Sequence, residues 1–295
     1  MMKYMISGID FIINEEGEAI FIEANSSPGA KLLKTKNFSE PLEVLARGVL
    51  DSVNEPKGAI VVRKTERDEG TNWKMEILSK FFSMRLCYFE DQTYNTPELI
   101  DINGKKFLPN VILYNIFGFA QLYKGDALQF NPKEVIRITL DKNLCMTIVK
   151  NLTKVKTPEE FMVFSDVTAK QIIKKKKELF DSGLVIKPLY GCGGKGVNVY
   201  ENIPKELPKF RSARLIQNKI KMNLKEGKFW DVRTYVMNGK FCGAVSRISE
   251  NPVVNLKRGG KFQTLDTDLM DVVKKPAEEI VKAINKVANC IDGFK

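Results

Sequence analysis

The stretch Gly8–Ala30, GIDFIINEEGEAIFIEANSSPGA, decides how the rest of the chain is read. Two short apolar runs flank the polar NEEG, and the second closes on a carboxylate, an amide and a Pro-Gly stop, which is the pattern of a β-hairpin. With a two- or four-residue loop, the numbers of facing residues sum to 31 and Asp10 lies opposite Phe21. Strand side chains alternate faces, so Phe21, Glu23 and Asn25 then share the face of Asp10, with Asp10 diagonal to Glu23. Two carboxylates and an amide oxygen make a hard-ligand set suited to Mg²⁺ or Mn²⁺. A three- or five-residue loop breaks that parity, and an ordinary exposed edge hairpin accounts for the spacing equally well.

The composition narrows the chemistry. The chain has 295 residues, room for one large or two ordinary cores, and a net charge of +11, which favours a polyanionic partner such as a nucleotide triphosphate or nucleic acid. It contains no histidine, so acid–base and metal work fall to carboxylates, lysines and amides. The five cysteines are scattered and form no CxxC pair, as expected of reduced thiols in a cytoplasm. No apolar run is long enough to span a bilayer. The lysine run Lys174–Lys177 has helical context and reads as a solvated helix face.

Periodicity predicts a hairpin over 3–25 and an amphipathic helix over 40–53, followed by a turn-rich break at 54–58. AIVVRK reads as a buried strand, and GTNWKMEILSKFF as a helix with Thr71 as its N-cap. A turn at Asn103-Gly104 precedes another apolar strand, so 58–140 suggests a small α/β domain with a partly parallel sheet. TLDKNLCMTIVKNL reads as a helix, GLVIKPLYGCGGKGVNVYENI as strand, glycine loop and strand, and ARLIQNKI as a strand. A strand hairpin turns at Asn238-Gly239, and 275–291 is an amphipathic helix.

Gly191, Gly193 and Gly196 match G-x-G-x-x-G, but a strand follows where a dinucleotide fold needs a helix, and no Lys-Ser or Lys-Thr completes a P-loop. What remains is a flexible loop whose N–H groups could cover phosphates, or a glycine-rich turn with no ligand. Lys187, inside an apolar strand, either snorkels out or meets an anion. Asp231 and Arg233 share a strand face at i and i+2, which a surface ion pair would also explain. Arg247, Asn255 and Arg258 add donors suited to carboxylate or phosphate.

Together these segments resemble the ATP-grasp superfamily of carboxylate–amine ligases, and most nearly its glutathione-synthetase-like branch, which includes the glutamate ligase that modifies a ribosomal protein. The resemblance covers nearly the whole chain. It implies two α+β lobes clasping ATP, preceded by a small α/β domain. It implies nucleotide contacts from Lys142, from Lys187, from the loop glycines Gly191, Gly193, Gly194 and Gly196, from the hinge strand at Gln217 to Ile220, and from Asp231 and Arg233. Arg247, Arg258 and Asn255 would serve the transferred phosphoryl group or the substrate acid, and Asp10, Glu23 and Asn25 would hold the metal ahead of an N-x-S-P-G stop.

The order departs from the family, where the D…E-x-N hairpin comes last. Circular permutation is the expectation: 1–55 completes the lobe formed by 141–295, and 56–140 is the preceding domain. The rival is a truncated gene rescued by swapping in a homodimer. The implied reaction joins small-molecule carboxylate and amine substrates, glutamate among the candidates, through an acylphosphate, with ATP and Mg²⁺, and without membrane or nucleic acid. A small-molecule kinase of the same fold and a catalytically silent binding module are the alternatives.

Overall fold

The computed structural model describes residues 4–26, 39–66, 69–93, 95–114, 116–191, 193–255 and 258–292. The opening hairpin forms as β1 (Ile6–Ile13) and β2 (Ala19–Asn25). Helix α1 (Ser39–Leu50) leads to β3 (Lys57–Val62), α2 (Glu69–Leu78) and β4 (Ser83–Tyr88). Two short strands, β5 (Leu99–Ile100) and β6 (Lys106–Phe107), flank the Asn103-Gly104 turn, and β7 (Val111–Tyr114), α3 (Phe117–Leu122) and β8 (Leu128–Gln129) follow. Next come α4 (Lys133–Leu140), α5 (Lys142–Leu152), β9 (Glu160–Val163) and α6 (Asp166–Lys175). The last part contains β10 (Leu184–Pro188), β11 (Asn198–Tyr200), β12 (Arg214–Asn218), β13 (Phe229–Met237), β14 (Lys240–Ser249), β15 (Lys261–Thr264) and α7 (Thr267–Asp292).

Three main sheets result. An antiparallel sheet runs β15-β14-β13-β1-β2, a second runs β11-β10-β12-β9, and a parallel sheet runs β4-β3-β7-β8. The parallel sheet matches the α/β unit expected over 58–140. The five-stranded sheet joins the two ends of the chain, because β1 pairs along β13, from Ile6 opposite Met237 to Phe11 opposite Val232.

One face of that sheet is largely apolar, interrupted by the buried hydroxyls of Ser7, Thr234 and Ser246. Ile9 and Phe11 of β1, Phe21 of β2, Val232 of β13 and Ile248 of β14 pack there against α4, α5 and α7. The other face is divided. Ile6, Tyr235, Met237 and Val245 pack against α1 and the parallel sheet, whereas Asp10, Arg233 and Arg247, further along the same strands, line an open cleft. The second antiparallel sheet buries Leu184, Ile186 and Ile216 beneath α6 and turns Val185, Lys187 and Gln217 toward that cleft.

Several local expectations are corrected. The hairpin loop is Glu15–Gly17 inside a bonded Asn14–Glu18 pair, an odd length that by itself would move Glu23 off the face of Asp10. A β-bulge restores the match: Phe11 faces Phe21, the next pair is Asp10 with Glu23, and Ile22 has no partner. Asp10 is therefore directly opposite Glu23 rather than Phe21. Phe21 packs edge-on against Phe11 in the core, with ring centroids 6.4 Å apart, and does not share the face of Glu23. Helix α2 begins at Glu69, which places Thr71 inside its first turn instead of at the cap. The helix expected from 275 begins at Thr267 and carries Pro276 within it. Its buried residues Val273, Ala277, Ile280 and Ile284 continue one apolar stripe across the proline. The TLDKNLCMTIVKNL helix is broken at Asp141, whose carboxylate accepts from Leu144 N at 3.0 Å and starts α5. The Asn238-Gly239 turn forms as expected, with φ of 46° and 71°.

The amino-terminal strand is seated by two buried amides. Asn285 Oδ1 accepts from Tyr4 N at 2.7 Å. Asn131 Oδ1 accepts from Met5 N and Ile6 N, and its Nδ2 donates to Ile6 O and Ser26 O. The Ser-Pro-Gly stop after Ser26 lies outside the described residues. Asn131→Ala leaves these buried backbone groups unpaired and is expected to lower unfolding stability by about 2–4 kcal/mol. Urea denaturation of the variant checks this, and a loss near zero would show that the hairpin seats without Asn131.

Candidate active site

Strand parity puts charge on one wall of the cleft. Asp10, Asp231, Arg233 and Arg247 come from three adjacent strands; Asp10, Asp231 and Arg247 are buried and Arg233 is partly so. Arg233 clasps Asp10 with two donors, Nε to Oδ1 at 2.7 Å and Nη2 to Oδ2 at 2.6 Å. Arg247 Nη2 adds a third bond to Asp10 Oδ2 at 3.0 Å, while its Nε donates to Asp231 Oδ1 at 2.6 Å and Nη2 also reaches Asp231 Oδ2. Asp231 and Arg233 do share a face, but each takes a cross-strand partner instead of the other, and the pairs are buried rather than superficial. Two acids and two guanidiniums cancel in charge, as burial demands. Burial pushes the Asp10 carboxyl up, yet Arg233 and Arg247 outweigh it and hold it below the usual carboxylate range.

Beside this group, Glu23 is ion-paired with Lys142, Oε1 to Nζ at 3.0 Å. Lys142 is the first residue of α5, and the same ammonium donates to Gly191 O at 2.7 Å. It thus joins the hairpin acid to the glycine loop. Tyr190 OH donates to Asp141 Oδ2 at 3.1 Å and fixes the start of that loop to the α5 cap.

The opposite wall is the β10-β12 sheet. Lys187 is buried and does meet an anion, Glu160, at 3.6 Å. Glu160 also accepts from Gln217 Nε2 across the β9–β12 pair. Burial drives Lys187 down, with Glu160 opposing it only in part, and burial raises Glu160 despite Lys187 and Gln217. The glycine loop closes the top. Gly194, at φ +71°, lies so close to Val253 that a Cβ there would stand 2.8 Å from Val253 Cγ1, so a side chain would have to displace Val253 and hold a backbone conformation that favours glycine.

These walls enclose a cleft of about 450 Å³. It gathers Asp10, Glu23, Asn25, Lys142, Lys187, Gly191, Gly193, Gly194, Gln217, Ile220, Asp231, Arg233, Arg247 and Asn255. Of the residues expected from sequence, Gly196 and Arg258 do not line it. Gly196 closes the loop toward Arg214, and Arg258 lies beside Gly194, with its backbone N bonded to Asn255 O at 3.0 Å. Sequence reading missed Glu160, whose signal was the second acid of TPEEF opposite Gln217, and the apolar lining from Val185, Val199, Met222 and Phe229.

The hairpin set fits a hard cation in its donor chemistry. Asp10 and Glu23 supply carboxylate oxygens from directly paired positions, and Asn25 supplies an amide oxygen from the same cleft-facing strand as Glu23. Among the described residues no group of three or more carboxylates and thiols could hold a metal, so the amide is needed to complete the set.

Residues 139–295 match the family described as a RimK-like ATP-grasp domain. The chain belongs to this family. As a RimK-like ATP-grasp protein it is an ATP-dependent ligase that forms carbon–nitrogen bonds. Its fold is similar to that of a gamma-glutamylcysteine synthetase-like protein from Methylobacillus flagellatus KT, at TM-score 0.65 and 12% identity over 97% of this chain and 88% of that one. It is also similar to the D-cycloserine synthetase DcsG, at TM-score 0.52 and 15% identity over 79% of this chain and 82% of that one. At these identities the likeness concerns the fold. No curated protein matches the chain, and none of its described helices is long and apolar enough to cross a membrane.

In this ATP-grasp cleft the Asp231–Arg247 pair is tested by breaking and then deleting it. Arg247→Leu strands a buried carboxylate and is expected to cost about 3–5 kcal/mol in urea unfolding. Adding Asp231→Leu restores most of that loss, because the Asp10–Arg233 pair left behind is balanced. A double variant no better than the single one would show that Asp231 does not depend on Arg247.

Proposed function

We propose that this chain is a Mg²⁺-dependent carboxylate–amine ligase acting on small amino-acid-like substrates through an acylphosphate. The observation that carries this is the convergence of Asp10, Glu23 and Asn25 with Lys142 and the glycine loop across one cleft, despite their separation in sequence. ATP would lie with its adenine among Val185, Val199, Met222 and the Gln217–Ile220 strand. Its phosphates would lie under Gly191, Gly193 and Gly194, near Lys142 and Lys187. Asp10, Glu23 and Asn25 would hold the metal, whose contribution is to neutralise phosphate charge. Glutamate is the substrate acid or amine to test first.

The chemistry asks little covalent help of the protein. A carboxylate oxygen bonds to the γ-phosphorus while the bond to the β,γ-bridging oxygen breaks and ADP leaves. The amine nitrogen then bonds to the acyl carbon, the acyl C–O bond breaks, inorganic phosphate departs, and the nitrogen loses its proton to water. Arg233 and Arg247, held rigid by Asp10 and Asp231, orient the acid wall. Asn255, with Arg258 beside the loop, would meet the substrate acid or the moving phosphoryl group. A cleft built from lysines, arginines, carboxylates and amides suits a reaction of this kind in a chain without histidine.

We read the segment order as circular permutation, with 1–55 completing the lobe of 141–295 around the domain 56–140. The β1–β13 pairing and the Tyr4–Asn285 bond support this.

ATP turnover against an amino-acid panel, followed by product mass, tests the proposal. Turnover is expected to require both an acid and an amine, and Glu23→Ala is expected to lower it by about 100-fold or more. Undiminished turnover in Glu23→Ala would overturn the metal assignment. A phosphate ester formed without any amine would identify a kinase.

A further inference from the structure

Among the described residues six cations line the cleft: Lys142, Lys187, Lys195, Lys219, Arg233 and Arg247. Five are already matched to carboxylates. Lys142 holds Glu23 and Lys187 holds Glu160. Lys219 holds Glu201, Arg233 holds Asp10, and Arg247 holds both Asp10 and Asp231. Among the described residues Lys195 alone of the six has no acidic partner and no side-chain hydrogen bond. It is exposed at the tip of the glycine loop, between Gly194 at φ +71° and Gly196 at φ +75°.

The difference matters for an incoming polyphosphate. Each of the other five cations must share its charge with a built-in acid, so its pull on an added anion is reduced. Lys195 can turn to a phosphate without breaking an ion pair, on a long flexible stem, from a loop whose glycines allow wide backbone movement.

We propose that Lys195 is a catalytic residue, whose ammonium engages the β- and γ-phosphoryl oxygens of the bound nucleotide. As the substrate carboxylate oxygen bonds to the γ-phosphorus and the bridging P–O bond breaks, negative charge gathers on the departing β-phosphate. Lys195 neutralises that charge without transferring a proton. The assignment rests on the nucleotide reading of the cleft given above, and it adds a residue that supplies the net positive charge the paired cations lack.

Calorimetric titration with Mg²⁺ and the non-reacting β,γ-methylene analogue of ATP, compared with AMP, tests it on wild type, Lys195→Ala, Lys195→Arg and Lys187→Ala. Lys195→Ala is expected to bind the analogue about tenfold or more weakly, with AMP affinity unchanged. Lys195→Arg should recover most of the loss. Wild-type affinity of Lys195→Ala for the analogue would overturn the proposal, and so would an equal loss for both nucleotides, which would mark an effect on loop shape. If Lys187→Ala loses affinity while Lys195→Ala does not, the nucleotide reading stands and the Lys195 role falls. If wild type binds neither nucleotide, both fall together.

Discussion

The carboxylate of Asp10, held by Arg233 and Arg247, is the interaction on which the rest depends. It is buried and accepts three charge-assisted hydrogen bonds, from strands more than 220 residues away in sequence. A carboxylate so deep in the protein must be matched, and here both matching cations come from the far end of the chain. The pairing therefore ties the opening strand to β13 and β14 at one register. That register in turn places Glu23 opposite Asp10 and brings the hairpin to the rim of the cleft.

One sheet performs two tasks because its strands are long enough to cross two environments. Along β13, Asp231 and Arg233 face the cleft, whereas Tyr235 and Met237, on the same face, pack against the core shared with α1 and the parallel sheet. Along β1, Asp10 faces the cleft and Ile6 the same shared core. The acid wall is thus continuous with packed hydrophobic structure, which restricts the side chains that position it. Charge balance within the wall has the same effect. The interlocked pairs contribute less to net stability than hydrophobic replacements could, but each side chain has only one arrangement in which its partner is satisfied.

Much of this was legible in the sequence, and the exceptions have physical causes. The element types followed from apolar periodicity, and the Asn-Gly turns and the strand after the glycine loop formed as read. The hairpin parity came out right through two offsetting departures, an odd loop and a bulge. Neither is visible locally, because a bulge is set by the partner strand. Thr71 failed as a cap because the helix began one turn-fraction earlier. The last helix begins at Thr267 rather than at 275 because the apolar stripe from Val273 to Ala288 packs on the sheet and carries the helix through Pro276.

By itself, the sequence determined the inventory and the local geometry: a chemistry without histidine, a strand-flanked glycine loop with positive-φ requirements, and a hairpin carrying two acids and an amide in order. Those properties depend on residue identity and near-neighbour sterics. Only the tertiary structure decided the partners: Asp231 with Arg247 instead of Arg233, Lys187 with Glu160, Lys142 between Glu23 and Gly191, and Lys195 with none among the described residues. Ion pairs form between side chains that strand register and sheet packing bring within a few ångströms. Register is a long-range property, fixed here by the contact between the two ends of the chain.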